Sequence, residues 1–241
     1  MEDVGGSVFF FRDHTDLMAS GGSRGGTTGA RTSATGALAP VDPPLEPPMW
    51  PIVFKQKVIQ QSKSLPSSTD LEELIYCAEG APSEEELEET LTSGWDSDLA
   101  SIILLLHLIP PSCQGRKRPG KVSASQAEKH LVVFQKRGTS IQEHVDAINS
   151  MMQPYLLAVG MKRNTIHEFF IGLDKQVIPC KSTSSLGAFD ELFKAHFVFG
   201  TVYNQMLYNM YVFIQTTVYK IDVGKVQETP RVAEIRARLL N

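Results

Sequence analysis

Six histidines and three cysteines are the side chains here best suited to ligate a metal or attack an electrophile. His14, His107, His130, His144, His167 and His196 include no pair at the i, i+4 spacing of a helical metal site, and none lies beside a cysteine at zinc-finger spacing. Cys77, Cys113 and Cys180 are odd in number, widely separated and free of any CxxC pair, which argues against a thiolate metal centre or a disulfide framework. Cys180 follows Pro179 without the local signature of a catalytic thiol, so an edge thiol is the reading that fits. His196 sits on an apolar helical stripe. There an imidazole bonded to a backbone carbonyl is the simpler role, and a metal or proton-relay role would need Cys180 or His167 brought beside it. Gly187, within SSLGAF, could serve close helix packing or an anion at a helix N-terminus. No GxGxxG or GxxxxGK[ST] accompanies it, so a nucleotide site has no support. No catalytic, cofactor-binding or metal-ligating set is identified, and the expectation is a non-catalytic protein without cofactor.

Two groups of residues point instead to binding. Tyr203, Tyr208, Tyr211 and Tyr219 recur along one segment with some of them off its apolar stripe, and tyrosine is frequent at protein interfaces. The competing reading makes them rings that close the edge of a core. Arg116, Lys117, Arg118 and Lys121 form the basic loop CQGRKRPGK, readable as a nuclear-import or phosphate-contacting patch or as a solvated loop balancing the acids before it. Four cations without interleaved aromatics make a thin nucleic-acid surface. The formal net charge of −4 adds no global attraction to nucleic acid or anionic membrane.

The elements that must position these residues occupy only part of the chain. Residues 1–50 are rich in Gly, Ser, Thr, Ala and Pro, a composition that cannot offset chain entropy, and a disordered region is expected. Residues 51–95 read as an acidic, mostly flexible linker with short helices. Phe54 and Val58 share a helical face that Gln61 interrupts, and from Asp70 to Asp98 acids occur with no Lys or Arg between. Ser67, Ser93 and Ser97 lie near acids, the context acid-directed kinases favour.

A folded domain is expected over 96–241. Asp96 or Ser97 can cap a nearly all-apolar helix through SDLASIILLLHLI, stopped by Pro110 and Pro111. Ser123 with Gln126, and Ser140 with Glu143, are capping boxes opening helices that run through Phe134 and Met152. Residues 154–160, His167–Leu173 and Gln176–Cys180 read as three strands, the last two a hairpin about Asp174-Lys175, with Pro179 forcing an edge position. Two amphipathic helices then follow. Phe189, Leu192, Phe193, His196 and Phe197 form one stripe, and Met206 to Ile221 another of about four turns, closed by Gly200 and Gly224. Thr229-Pro230 opens a last helix with Val232, Ile235 and Leu239 inward and Arg231, Arg236 and Arg238 outward. The architecture predicted is α+β, with helices packed on a small three-stranded antiparallel sheet.

The run QPYLLAVG, the hairpin FFIGLDKQVIPC, the helical blocks SSLGAFDELFKAHFVFG and VFIQTTVYKIDVG, and upstream GWDSDLASIILLLHLIPPS and GRKRPGKVSASQAEKHLVVFQ together resemble a multi-copy, uncharacterised group of vertebrate proteins. The likeness covers about residues 50–241. It extends more distantly to the C-terminal region of sterile-alpha-motif-domain-containing proteins, although that motif is not evident here. The resemblance implies no activity, cofactor or catalytic residue, and it implies a truncated or rearranged copy spread with mobile elements. Nothing in the chain matches a transposase acidic triad or an integrase zinc site. Without a basic n-region or an apolar run near the roughly 20 residues that span a bilayer, an intracellular, cytoplasmic or nuclear, interaction domain is expected. Its protein partner and oligomeric state are left open, with a nucleic-acid-associated module as the alternative and, third, an enzyme that would need His196, Cys180 and an acid gathered in one pocket.

Overall fold

Twelve residues, SDLASIILLLHL, explain the arrangement of everything around them. They form helix α3 (Ser97–Leu108), in which nine residues from Leu99 to Leu108 are buried. A helix apolar on all sides must be surrounded, and burial of each Leu or Ile contributes about 1.5–3 kcal/mol. Its cap is Asp96, whose Oδ1 accepts from the N–H groups of Asp98 and Leu99 at 3.1 Å each. The computed structural model describes residues 52–80, 94–111, 123–147 and 153–240. The predicted disorder of 1–50, the basic loop and Ser93 lie outside them.

Helices α1 (Ile52–Ser62) and α2 (Thr69–Glu79) cover one side of α3. These are the short helices expected within 51–95, and residues 81–93 lie outside the described residues. In α1 the face is Phe54, Val58 and Ser62, all buried, with the Ser62 hydroxyl donating to the Val58 carbonyl at 2.8 Å. The stripe that Gln61 interrupts is thus completed by a back-bonded serine. In α2, Leu71, Leu74 and Ala78 are buried while Asp70, Glu72 and Glu73 face solvent. The first acids of the run, Asp70, Glu72 and Glu73, form the outer face of this amphipathic helix, which is capped by Ser68.

The sheet has four strands in the order β1-β2-β3-β4: β1 (Val132–Lys136), β2 (Tyr155–Lys162), β3 (Thr165–Leu173) and β4 (Gln176–Pro179). β1 runs parallel to β2 and the other pairs are antiparallel, so the sheet is mixed rather than a three-stranded meander. The extra strand arises where a helix through Phe134 is predicted. Helix α4 (Ala124–Leu131) forms with both hydrogen bonds of its Ser123–Gln126 capping box but ends at Leu131. Val132, Val133 and Phe134, β-branched and aromatic, then pair with Leu156, Leu157 and Ala158. Helix α5 (Ile141–Ala147) follows, with the Glu143 N–H bonded to Ser140 Oγ. The expected extension through Met152 lies outside the described residues.

β2 is buried on both faces. Leu156 and Ala158 join the main core with α3, whereas Tyr155, Leu157 and Val159 form a second cluster with Val133, Ile141, Phe170 and Val177. Tyr155 lies so closely across Gly172 that a Cβ there would sit 2.2 Å from its ring. The hairpin turns at Asp174 (φ 46°) and Lys175 (φ 62°), the two left-handed positions of a type I′ turn.

On the main-core side lie α6 (Ser185–Val198), α7 (Tyr208–Phe213) and α8 (Pro230–Leu240). The predicted four-turn helix over 206–221 is instead α7 continued by one π-helical segment, Ile214–Val218. Helix α8 buries Val232, Ile235 and Leu239 as its spacing predicts, and Thr229 Oγ1 accepts from the Val232 N–H at 3.4 Å. Arg231 Nε and Asn209 Nδ2 donate to the carbonyls of Leu108 and Pro110 at 2.9 and 3.1 Å, satisfying the C-terminal end of α3.

Candidate functional site

The four tyrosines lie in an aromatic cluster that joins α6 to α7. Tyr211 is fully buried; Tyr203, Tyr208 and Tyr219 are half-buried. Tyr203 stacks on Tyr211 with centroids 4.8 Å apart, Tyr219 stacks on Phe193 at 4.1 Å, and the His196 ring lies 4.6 Å from that of Tyr211. Tyr203 Oη donates to Gln215 Oε1 at 2.9 Å, and Gln215 Nε2 reaches Asp222 Oδ2 at 3.1 Å. Tyr219 Oη donates to Asp190 Oδ1 at 2.5 Å. Burial pushes the hydroxyls of Tyr203, Tyr211 and Tyr219 far above the ordinary phenol range. Tyr211 is a core ring, whereas Tyr203, Tyr208 and Tyr219 close the edge of the core and keep part of their surface exposed.

His196 is the core histidine its position on the stripe suggests. Its Nδ1–H donates to the Leu192 carbonyl at 3.1 Å, and burial pulls its pKa down. Cys180 has its N–H on the Phe169 carbonyl, and its thiol is pushed up to about 12 by burial and by the charge of Glu191. Such a thiol is not a nucleophile near neutral pH. Among the described residues no group of three His, Cys, Asp or Glu could hold a metal ion. Gly187 serves packing: its N–H bonds Ser184 Oγ, and a Cβ would meet Ser182 Oγ at 2.0 Å.

The charged candidates divide similarly. Arg116, Lys117, Arg118 and Lys121 lie outside the described residues. The three outward arginines of α8 are all paired: Arg231 and Arg238 with Glu234 at 2.9 and 2.6 Å, and Arg236 with both oxygens of Glu228 at 2.5 Å. Ser67 is bonded to Glu72. Ser97 donates to the Ala78 carbonyl and accepts from Lys55 Nζ, each at 2.8 Å.

A more exposed apolar surface lies a few residues before the tyrosines, where α6 ends. Phe197, Val198, Phe199 and Val202 are 48%, 75%, 45% and 74% exposed, four large apolar side chains within six residues. The backbone there is fixed by a Schellman motif. The Thr201 N–H reaches the His196 carbonyl at 2.9 Å and the Gly200 N–H the Phe197 carbonyl at 3.4 Å, with Gly200 at φ 60°. Phe197 is braced by the Phe193 ring at 5.2 Å. Sequence reasoning put Phe197 on the buried stripe and passed over its neighbours. The readable signal is that Phe197, Val198 and Phe199 are consecutive, and one helix face cannot bury three in a row.

Among the described residues no helix is long and apolar enough to cross a membrane. No protein-family model, curated protein or solved structure matches this chain. The functional reading therefore rests on the geometry.

Proposed function

We propose that this chain is a non-catalytic, intracellular protein-interaction domain that binds its partner through the apolar ridge Phe197–Val202. The observation that supports it is the exposure of four large apolar side chains on backbone that is already ordered. Leaving such a patch in water has a continuing cost, and covering it recovers roughly 25 cal/mol per Å² of apolar surface. Because the Schellman motif and the Phe193–Phe197 contact hold the ridge in place, docking orders little additional chain. The alternative, a nucleic-acid module, would rest on Arg116, Lys117, Arg118 and Lys121, which lie outside the described residues, while the α8 arginines are engaged with Glu228 and Glu234.

Proximity labelling in cells, comparing the native chain with a Val198→Asp/Val202→Asp double variant, tests the proposal. The variant should keep its circular dichroism and melting temperature, since both side chains already face solvent, and should lose a defined set of labelled proteins. Identical labelling by the two chains would overturn the reading.

A further inference from the structure

The sheet ends on two edges, and only one of them is blunted. At β4 the Cys180 N–H reaches the Phe169 carbonyl at 2.9 Å, so by alternation Gln176 and Ile178 also turn their N–H groups to β3 while Val177 and Pro179 turn outward. Pro179 has no N–H to offer. Just beyond it, the Glu191 carboxylate accepts from the Lys181 and Ser182 N–H groups at 3.0 and 2.7 Å. Another strand finds little to bond there.

β1 is the opposite edge, with β2 as its neighbour in the sheet. The Arg137 N–H reaches the Gly160 carbonyl at 2.8 Å, in the register that pairs Val133 with Leu157 and Gln135 with Val159. Val133, Gln135 and Arg137 therefore turn their backbone groups to β2, and Val132, Phe134 and Lys136 turn theirs away. Each of these three outward residues carries one N–H and one C=O. Two of the groups have partners within the chain: the Val132 N–H donates to the Glu128 carbonyl at the end of α4, and the Lys136 carbonyl accepts from the Thr139 N–H at 3.1 Å. The N–H groups of Phe134 and Lys136 and the carbonyls of Val132 and Phe134 have no hydrogen-bond partner among the described residues. An edge reading VVFQK, with β-branched and aromatic residues, no proline and no charge before its last position, is a template for another strand.

The pattern of the open groups says which strand. Turned through a two-fold axis at Phe134, β1 sets Phe134 against the same residue of a second copy, and Val132 against the second copy's Lys136. The first pair exchanges both of its N–H to C=O bonds. In the second pair the Lys136 N–H donates to the Val132 carbonyl. The two groups left over, the Val132 N–H and the Lys136 carbonyl, are the two already satisfied inside the chain. An unrelated strand would instead bring an N–H and a C=O to groups that are occupied. The chain also turns at 136–139, with Gly138 at φ 91°, so it leaves the pairing line at the last bonded residue. Val133 and Gln135 oppose one another across the axis, and no like charges meet.

We infer that this chain forms a two-fold symmetric dimer through β1, the two strands pairing antiparallel about Phe134 so that the two sheets become one. The inference rests on β1 and not on the ridge.

Light scattering on the full chain across a dilution series tests it, with Lys136→Pro as the probe. Lys136 is exposed and its N–H faces away from β2, so proline removes a bond of the dimer and none of the fold. The parent should be a dimer that dissociates on dilution. The variant should keep the parent's circular dichroism and need at least about tenfold more protein to pair. Amide exchange gives a second readout: Phe134 and Lys136 should be protected when the protein is concentrated and lose protection on dilution, whereas Gln135, bonded to β2, stays protected throughout. Val198→Asp/Val202→Asp should leave the dimer intact, which separates this interface from the ridge. A chain that stays monomeric throughout the series, with or without another protein's strand on the edge, would overturn the inference. So would a dimer indifferent to Lys136→Pro, or one in which the Phe134 amide exchanges freely. If Lys136→Pro fails to fold, the exchange pattern decides.

Discussion

Asp96 and Ser185 stand 89 positions apart in the chain and share a 2.7 Å hydrogen bond, Ser185 Oγ to Asp96 Oδ2. The other oxygen of the same carboxylate caps α3, and the Asp96 N–H donates to the Arg163 carbonyl at 3.1 Å in the β2–β3 turn. One residue therefore ties the central helix to α6 and to the sheet. Asp96→Ala should lose both the cap, worth about 1–2 kcal/mol, and a hydrogen bond to a charged acceptor, worth about 1.5–3 kcal/mol. A total loss of roughly 2.5–5 kcal/mol is expected in urea unfolding. Combining it with Ser185→Ala should cost about 1 kcal/mol or more less than the sum of the single changes, because the pair is direct. Strict additivity would show that the bond is not formed in solution.

Phe193→Ala distinguishes the core of α6 from its ridge. Phe193 is buried, stacks on Tyr219 and meets Tyr211 and Phe197 at tilted angles, so its removal should cost about 3–5 kcal/mol. Val198→Ser, five residues on but exposed, should change stability by no more than about 0.5 kcal/mol. Denaturant midpoints for the two variants check this directly, and a large loss from Val198→Ser would mean that the ridge is part of the core.

The signals legible in the sequence are those that depend on near neighbours. The Ser123–Gln126 capping box, the Thr229-Pro230 helix start, the Asp174-Lys175 turn and Gly200 at the end of α6 all act within a few residues. The 208–218 segment instead stops at Val218, before Lys220 at φ 57° and well short of the expected Gly224. What was not legible depends on partners distant in the chain. Val132–Lys136 becomes a strand because β2 offers a parallel edge 24 residues later, as the register Val132 to Leu156 shows. Helix α2 looks like a solvated acid run until α3 is there to receive Leu71, Leu74 and Ala78. The tyrosines fit an interface and a core equally well by type, and only the packing of Tyr211 against Phe189, Phe193 and His196 separates the two.

Acid should destabilise this protein well above the carboxylate range. His107, His130, His144 and His196 all have pKa values lowered, each chiefly by burial. Each imidazole therefore takes a proton less readily in the folded chain than in the unfolded one. Above about pH 6.5 they are neutral in both states and the protein keeps its full stability with respect to them. As pH falls below that value the unfolded state binds more protons, and stability declines toward the folded-state pKa values. Urea midpoints at pH 7.5, 6.5 and 5.5 should show a flat step followed by a drop. His130→Gln and His144→Gln, at the less buried positions, should shrink the drop, and an unchanged midpoint at pH 5.5 would refute the assignment.

The β3–β4 turn offers a prediction of opposite sign, because there a substitution should strengthen the fold. Asp174 and Lys175 both adopt positive φ, at 46° and 62°. Aspartate tolerates that region by bonding locally, whereas lysine gains nothing there and pays a penalty of about 1–2 kcal/mol that glycine avoids. Glycine adds back about 0.5–1 kcal/mol of chain entropy in the unfolded state. Lys175→Gly should therefore stabilise by roughly 0.5–1 kcal/mol, while Lys175→Val, branched at Cβ, should destabilise by more than that. The pair is informative because β4 is a short edge strand whose Pro179 donates no ladder hydrogen bond, so the turn carries much of its registration. If the hairpin used a turn with negative φ at residue 175, the order of the two variants in a urea series would reverse.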